Sequence, residues 1–102
     1  MGKTIRPKRI NAKNAKAMIE TGNAVLVDVR TPREYVGGHI NGAVSLPLDD
    51  VAAKALRVLP DKDAGIVVYC LSGARSGRAA RMLARMGYQN VRNLGAMYKW
   101  ND

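Results

Sequence analysis

The stretch Gly65-Ile66-Val67-Val68-Tyr69-Cys70-Leu71-Ser72-Gly73-Ala74-Arg75-Ser76-Gly77 decides how this chain is read. Its first half is a short apolar, β-branched run, the signature of a buried strand in a parallel sheet. The strand ends at Cys70, the single cysteine of the protein. A loop of small residues follows, and then Ala79, Met82, Leu83 and Met86 recur at i, i+3, i+4 and i+7, which predicts a helix. Cys70 therefore stands between a rigid strand and the positive end of a helix dipole. Backbone N–H groups of the loop can converge there into an anion-binding nest. Loop amides, helix terminus and Arg75 are all expected to favour the thiolate.

Outward from this loop, the rest of the chain alternates strand and helix signals. Lys8-Arg9-Ile10 is expected as a short edge strand at the end of a basic, extended lead-in over residues 1–8. Asn11 reads as the N-cap of a helix striped by Ala12, Ala15, Met18 and Ile19 and closed by Gly22. Ala24–Val27 is a second buried strand, ending in Asp28-Val29-Arg30. Thr31-Pro32-Arg33-Glu34 predicts a short helix with a capping box, stopped by Gly37-Gly38. Residues 43–46 form the next expected strand, followed by a helix capped by Asp49 or Asp50 with Ala52, Ala55, Leu56 and Leu59 inward. After the helix that follows Cys70, Val91–Leu94 is the last strand, and Gly95 is expected to begin a final helical turn. This alternation implies an α/β fold with a mostly parallel sheet and helices on both faces. Ligands bind such sheets at the carboxyl ends of the strands, where Asp28, Arg30 and Cys70 fall.

Composition limits the function classes. At 102 residues the chain is expected to be one domain. One cysteine excludes an internal disulfide, and one histidine beside it leaves no zinc set, so neither metal nor cofactor is expected. No apolar run reaches membrane-spanning length and no signal-peptide core is present, so a soluble, cytoplasmic protein without membrane partners is expected. Met1-Gly2 invites myristoylation, but Arg6 stands where Ser or Thr is required. The net charge of +9 is concentrated in Lys3, Arg6, Lys8, Arg9, Lys13 and Lys16 and in Arg78, Arg81 and Arg85. No aromatics interleave with either group, so a nucleic-acid partner is not expected and solvated faces are the simpler reading.

Four segments in order carry a resemblance to a known family: Val27–Tyr35, Gly38–Ala43, Cys70–Ser76 and Leu94–Trp100. Together they resemble a single-domain rhodanese, a sulfurtransferase module, over about residues 10–100. The resemblance implies a five-stranded parallel sheet flanked by helices and a persulfide on Cys70. Ala96 departs from the family pattern, in which a second glycine is common. Family sulfurtransferases place four residues between Cys and Arg, as Leu71, Ser72, Gly73 and Ala74 do here; the related phosphatases place five.

The residues and the resemblance together give the following expectations. Cys70 is the expected nucleophile, and Leu71, Ser72, Gly73, Ala74, Arg75 and Ser76 are expected to bind the substrate sulfur or its anion, with Ser76 as the helix cap. Asp28 and Arg30 are expected to be structural, with Arg30 paired to Glu34. His39 is read as a folding residue at the start of a strand, and Tyr98 and Trp100 as core closure. The expected partners are a small anionic sulfur donor, such as thiosulfate, and a thiol or cyanide acceptor. A persulfide carrier that delivers sulfur to a partner protein is the alternative. A phosphatase or arsenate reductase ranks below both.

Overall fold

A computed structural model of the chain describes residues 6–101. Met1-Gly2, Lys3 and the first part of the basic lead-in lie outside the described residues. Strand β1 is Lys8–Arg9, and helix α1 is Ala12–Glu20, where the Asn11 side chain accepts from the Asn14 N–H as the sequence predicts. Strand β2 is Ala24–Asp28 and helix α2 is Pro32–Val36, with both halves of the Thr31/Glu34 capping box formed. Strand β3 is Val44–Ser45, helix α3 is Val51–Val58 and strand β4 is Gly65–Cys70. Helix α4 is Ala74–Arg85 and strand β5 is Asn90–Ala96. Two 3-10 turns, Leu48–Asp50 and Met97–Asn101, complete the chain.

The five strands form one sheet in the order β1-β5-β4-β2-β3, and every neighbouring pair is parallel. Parallel neighbours require crossovers, and the helices that make them cover both faces. β4 is central and all six of its residues are buried. Its side chains alternate between two cores. Ile66, Val68 and Cys70 face the layer built by α3 and α4, with Val51, Ala55, Ala79 and Leu83. Val67 and Tyr69 face the layer of α1, with Ala12 and Ala15 and with Trp100 packed against them. Each fully buried aliphatic side chain stabilises the fold by about 1.5–3 kcal/mol. Cys70 thus ends a strand pinned from both sides. Among the described residues no helix is long and apolar enough to cross a membrane.

Several details differ from the sequence reading. The inward face of α3 is Val51, Ala55 and Leu59, which turns Ala52 and Leu56 outward, with Leu56 56% exposed. The helix is entered through the Leu48–Asp50 turn; Asp50 makes no side-chain cap and instead lies 3.7 Å from Lys54 Nζ. β5 runs on to Ala96 because the register shifts between Val68 and Tyr69, which brings Ala96 opposite Cys70. Gly95, at φ +87°, lies inside the strand, and the final turn starts at Met97. Tyr98 is 67% exposed and closes no core, unlike Trp100.

Candidate active site

The sheet delivers two buried polar side chains to its carboxyl end, Asp28 from β2 and Cys70 from β4. After Cys70 the chain bends through Leu71-Ser72-Gly73 into α4. Gly73 takes φ +109°, a conformation that costs other residues strain, and so turns its N–H back toward the sulfur. That N–H donates to Cys70 Sγ at 2.9 Å. Ser76 is fully buried in the first turn of α4. Its hydroxyl lies 3.5 Å from Sγ and donates to Gly73 O at 3.0 Å, and it is a rotor free to turn to a thiolate. Ser76 is therefore no helix cap; Gly73 occupies the cap position, without a side-chain bond. Burial pushes the Cys70 thiol up, but hydrogen bonds from Ser76 (hydroxyl and N–H) and from the Gly73 and Ser72 N–H groups outweigh it, and the net shift is down. The side chains of Leu71, Ser72 and Ala74 point to solvent around this centre.

Arg75 has a partner that the sequence pattern does not announce. Its guanidinium is held by Glu34 of α2 in a two-bond fork, Nη1–Oε1 2.6 Å and Nη2–Oε2 3.0 Å. The donors that touch the sulfur are thus loop amides and a hydroxyl, while Arg75, its charge met by a carboxylate, acts on the thiolate through space. Glu34 also accepts from the Thr31 N–H at 3.0 Å. The Arg75 and Thr31 bonds together hold its carboxyl down to about 2.

Arg30 is not paired with Glu34. It folds back onto Asp28, with Nη2–Oδ2 2.8 Å and Nε within 3.1 Å of both carboxylate oxygens, and donates from Nη2 to Gly38 O at 2.7 Å. Asp28, with no exposed surface, also accepts from the Arg30 N–H at 2.9 Å and from the Tyr69 hydroxyl at 2.7 Å. Tyr69 in turn accepts from the Ile40 N–H at 3.1 Å. Burial and the Asp28 carboxylate push the Tyr69 hydroxyl well up, so it stays a neutral donor. This network ties the ends of β2 and β4 to the segment after α2. His39 lies in that segment, not at a strand start: its ring stacks on Tyr35 at 3.7 Å and its Nδ1 is 2.8 Å from Tyr35 O.

Tyr69 and the Glu34–Arg75 fork escaped the sequence reading. Tyr69 had a signal: a hydroxyl at the end of a wholly buried strand must find a partner. The fork joins residues 41 positions apart, and nothing local in either segment announces it.

A model of the Rhodanese-like domain family matches residues 11–102. The thiosulfate sulfurtransferase PspE of Escherichia coli is 39% identical over 71 residues, 70% of this chain and 68% of that protein. A tRNA uridine(34) hydroxylase of Erwinia tasmaniensis is 37% identical over 86 residues, 80% of this chain but 25% of that longer protein. The structure of the human single domain sulfurtransferase TSTD1 superposes with a TM-score of 0.77 at 28% identity, covering 98% of this chain and 96% of that one. Both the β1-β5-β4-β2-β3 parallel sheet and the cysteine-bearing loop before α4 are thus accounted for by common descent: the chain belongs to the rhodanese-like domain family of sulfurtransferases.

Proposed function

We propose that the chain moves a sulfane sulfur from thiosulfate or a similar anionic donor to a thiophilic acceptor, through a persulfide on Cys70. The observation that carries this reading is the Gly73 N–H on Cys70 Sγ at the start of α4, with the Ser76 hydroxyl beside it. The Gly73 N–H stabilises negative charge on sulfur from where it already stands, as an oxyanion-hole donor does on oxygen, and the Ser76 hydroxyl joins it by turning. In the first half-reaction the Cys70 thiolate attacks the outer sulfur of thiosulfate. The S–S bond of the donor breaks, sulfite leaves with the bonding pair, and the persulfide remains on Cys70. In the second, a thiolate or cyanide attacks the outer persulfide sulfur, and Cys70 leaves as the thiolate.

Cys70 has no exposed surface, so a single sulfur atom suits the site better than a bulky phosphate ester. Sulfite also leaves at neutral pH without a general acid, whereas an alkoxide leaving group needs one. The similarity to a thiosulfate sulfurtransferase over 70% of the chain supports the donor class. Thiosulfate:cyanide turnover tests the reading directly. Turnover that depends on Cys70 supports it; a loaded Cys70 with negligible turnover favours the carrier alternative, in which a dedicated protein removes the sulfur.

A further inference from the structure

Beside the Cys70 loop a groove of about 910 Å³ runs between α4 and the segment leading into β1. Arg78, Arg81 and Arg85 line it from α4, and Arg6, Lys8 and Arg9 line it from the other side. All six are exposed, and among the described residues none meets a carboxylate. Among the described residues, none that lines the groove is acidic or aromatic. Its floor includes Gly77, Ala80 and Ala84, small enough for a backbone to approach the helix closely. At its end stands Gly73, whose N–H holds the sulfur.

We infer that this groove docks an extended acidic segment of a sulfur-accepting protein and delivers that protein's cysteine to the Cys70 persulfide. The inference deepens the sulfur-transfer reading above and rests on it. Cations on both walls of the groove match carboxylates of an extended chain, and arginine favours the two-bond carboxylate fork. α4 has 12 residues, about 18 Å, the span of about five or six residues of extended peptide. With no aromatic lining there is no platform for unstacked bases, which argues against a single nucleic-acid strand. In the transfer step the acceptor thiolate attacks the outer persulfide sulfur and the Cys70 S–S bond breaks. Cys70 leaves as the thiolate and the acceptor becomes the persulfide, with no net oxidation.

Three labelled probes of equal length test this with the full chain: an Asp/Glu peptide with one cysteine, its Asn/Gln counterpart, and an oligouridine. Binding is read by fluorescence anisotropy and sulfur transfer by the mass of the peptide. We expect the acidic peptide to bind and to accept sulfur at least about ten-fold better than its amide counterpart, with salt erasing the difference. Arg81→Gln combined with Arg85→Gln should remove most of that preference, while thiosulfate:cyanide turnover changes at most a few-fold. Equal use of the two peptides, or a preference that survives in the double variant, overturns the proposal. Oligouridine that displaces the acidic peptide overturns it in favour of nucleic acid. If Cys70 takes up no sulfur, the sulfur-transfer reading fails, and anisotropy alone still decides what the groove binds.

Discussion

Arg75 and Glu34 face each other across the gap between α4 and α2, joined by two hydrogen bonds of 2.6 and 3.0 Å. The fork fastens the start of the helix that positions Gly73 and Ser76 to a helix whose capping box uses the same Glu34 carboxylate. The carboxylate offsets the positive charge that an anionic donor would meet at this arginine. Glu34→Gln should therefore lower the Michaelis constant for thiosulfate by freeing the guanidinium, whereas Arg75→Ala should raise it. Each variant should lose about 1 kcal/mol of stability, and the double variant little more than either. Additive losses would mean that the fork does not act as a unit.

The same pair makes stability depend on pH. Glu34 is held at about 2, below its ordinary value of 4.5. The folded state thus binds this proton less readily than the unfolded state, so the contribution is complete above the unfolded value and is lost as pH falls toward the folded one. Thermal unfolding of the wild type should drop more steeply than that of Glu34→Gln between about pH 5 and pH 2. Parallel curves would contradict the assignment.

Ser76 should tune the thiol without holding the fold. Ser76→Ala removes the hydroxyl beside Sγ and leaves the Gly73 amide in place. The pH midpoint for alkylation of Cys70 should rise in this variant, with only a small change in melting temperature. Gly73→Ala should do more harm, since a side chain at φ +109° is strained and the amide that faces the sulfur must turn. An unchanged alkylation midpoint in Ser76→Ala would show that the hydroxyl bonds only Gly73 O.

The Asp28–Arg30–Tyr69 network should behave oppositely. Tyr69→Phe leaves the Ile40 N–H and one Asp28 oxygen short of a partner and should cost about 1–3 kcal/mol. Asp28→Ala strands a buried guanidinium and should cost about 3–5 kcal/mol. Sulfur loading of Cys70 at a temperature where Tyr69→Phe is folded should stay near wild type. A selective loss of loading would move this network from support into chemistry.

Much of this was legible in the chain because its signals are local. The β-branched run before Cys70, the Thr31/Glu34 box and the Asn11 cap each depend on neighbours within a few residues, and each appears as read. Errors arose where a partner comes from afar or where one residue sets the phase. Val51 takes the buried position at the start of α3, which puts Ala55 and Leu59 inward at i+4 and i+8 and turns Ala52 and Leu56 to solvent. Arg30 chose Asp28, two residues away and fully buried, over the more exposed Glu34, because an interior carboxylate needs a cation more. That choice left Glu34 to Arg75. The bulge opposite Val68 and Tyr69, which skips Leu94 and carries β5 to Ala96, has one local trace, Gly95 at φ +87°, which the sequence pattern alone reads as the start of the final turn.

The central claim is that Cys70 accepts a sulfur atom from an anionic donor. Intact mass of the protein after incubation with thiosulfate and removal of excess reagent tests it most directly. The account predicts a gain of one sulfur atom in the wild type, reversed by cyanide, and no gain in Cys70→Ser, whose fold should persist. An unmodified wild type, or an adduct that survives in Cys70→Ser, would contradict it.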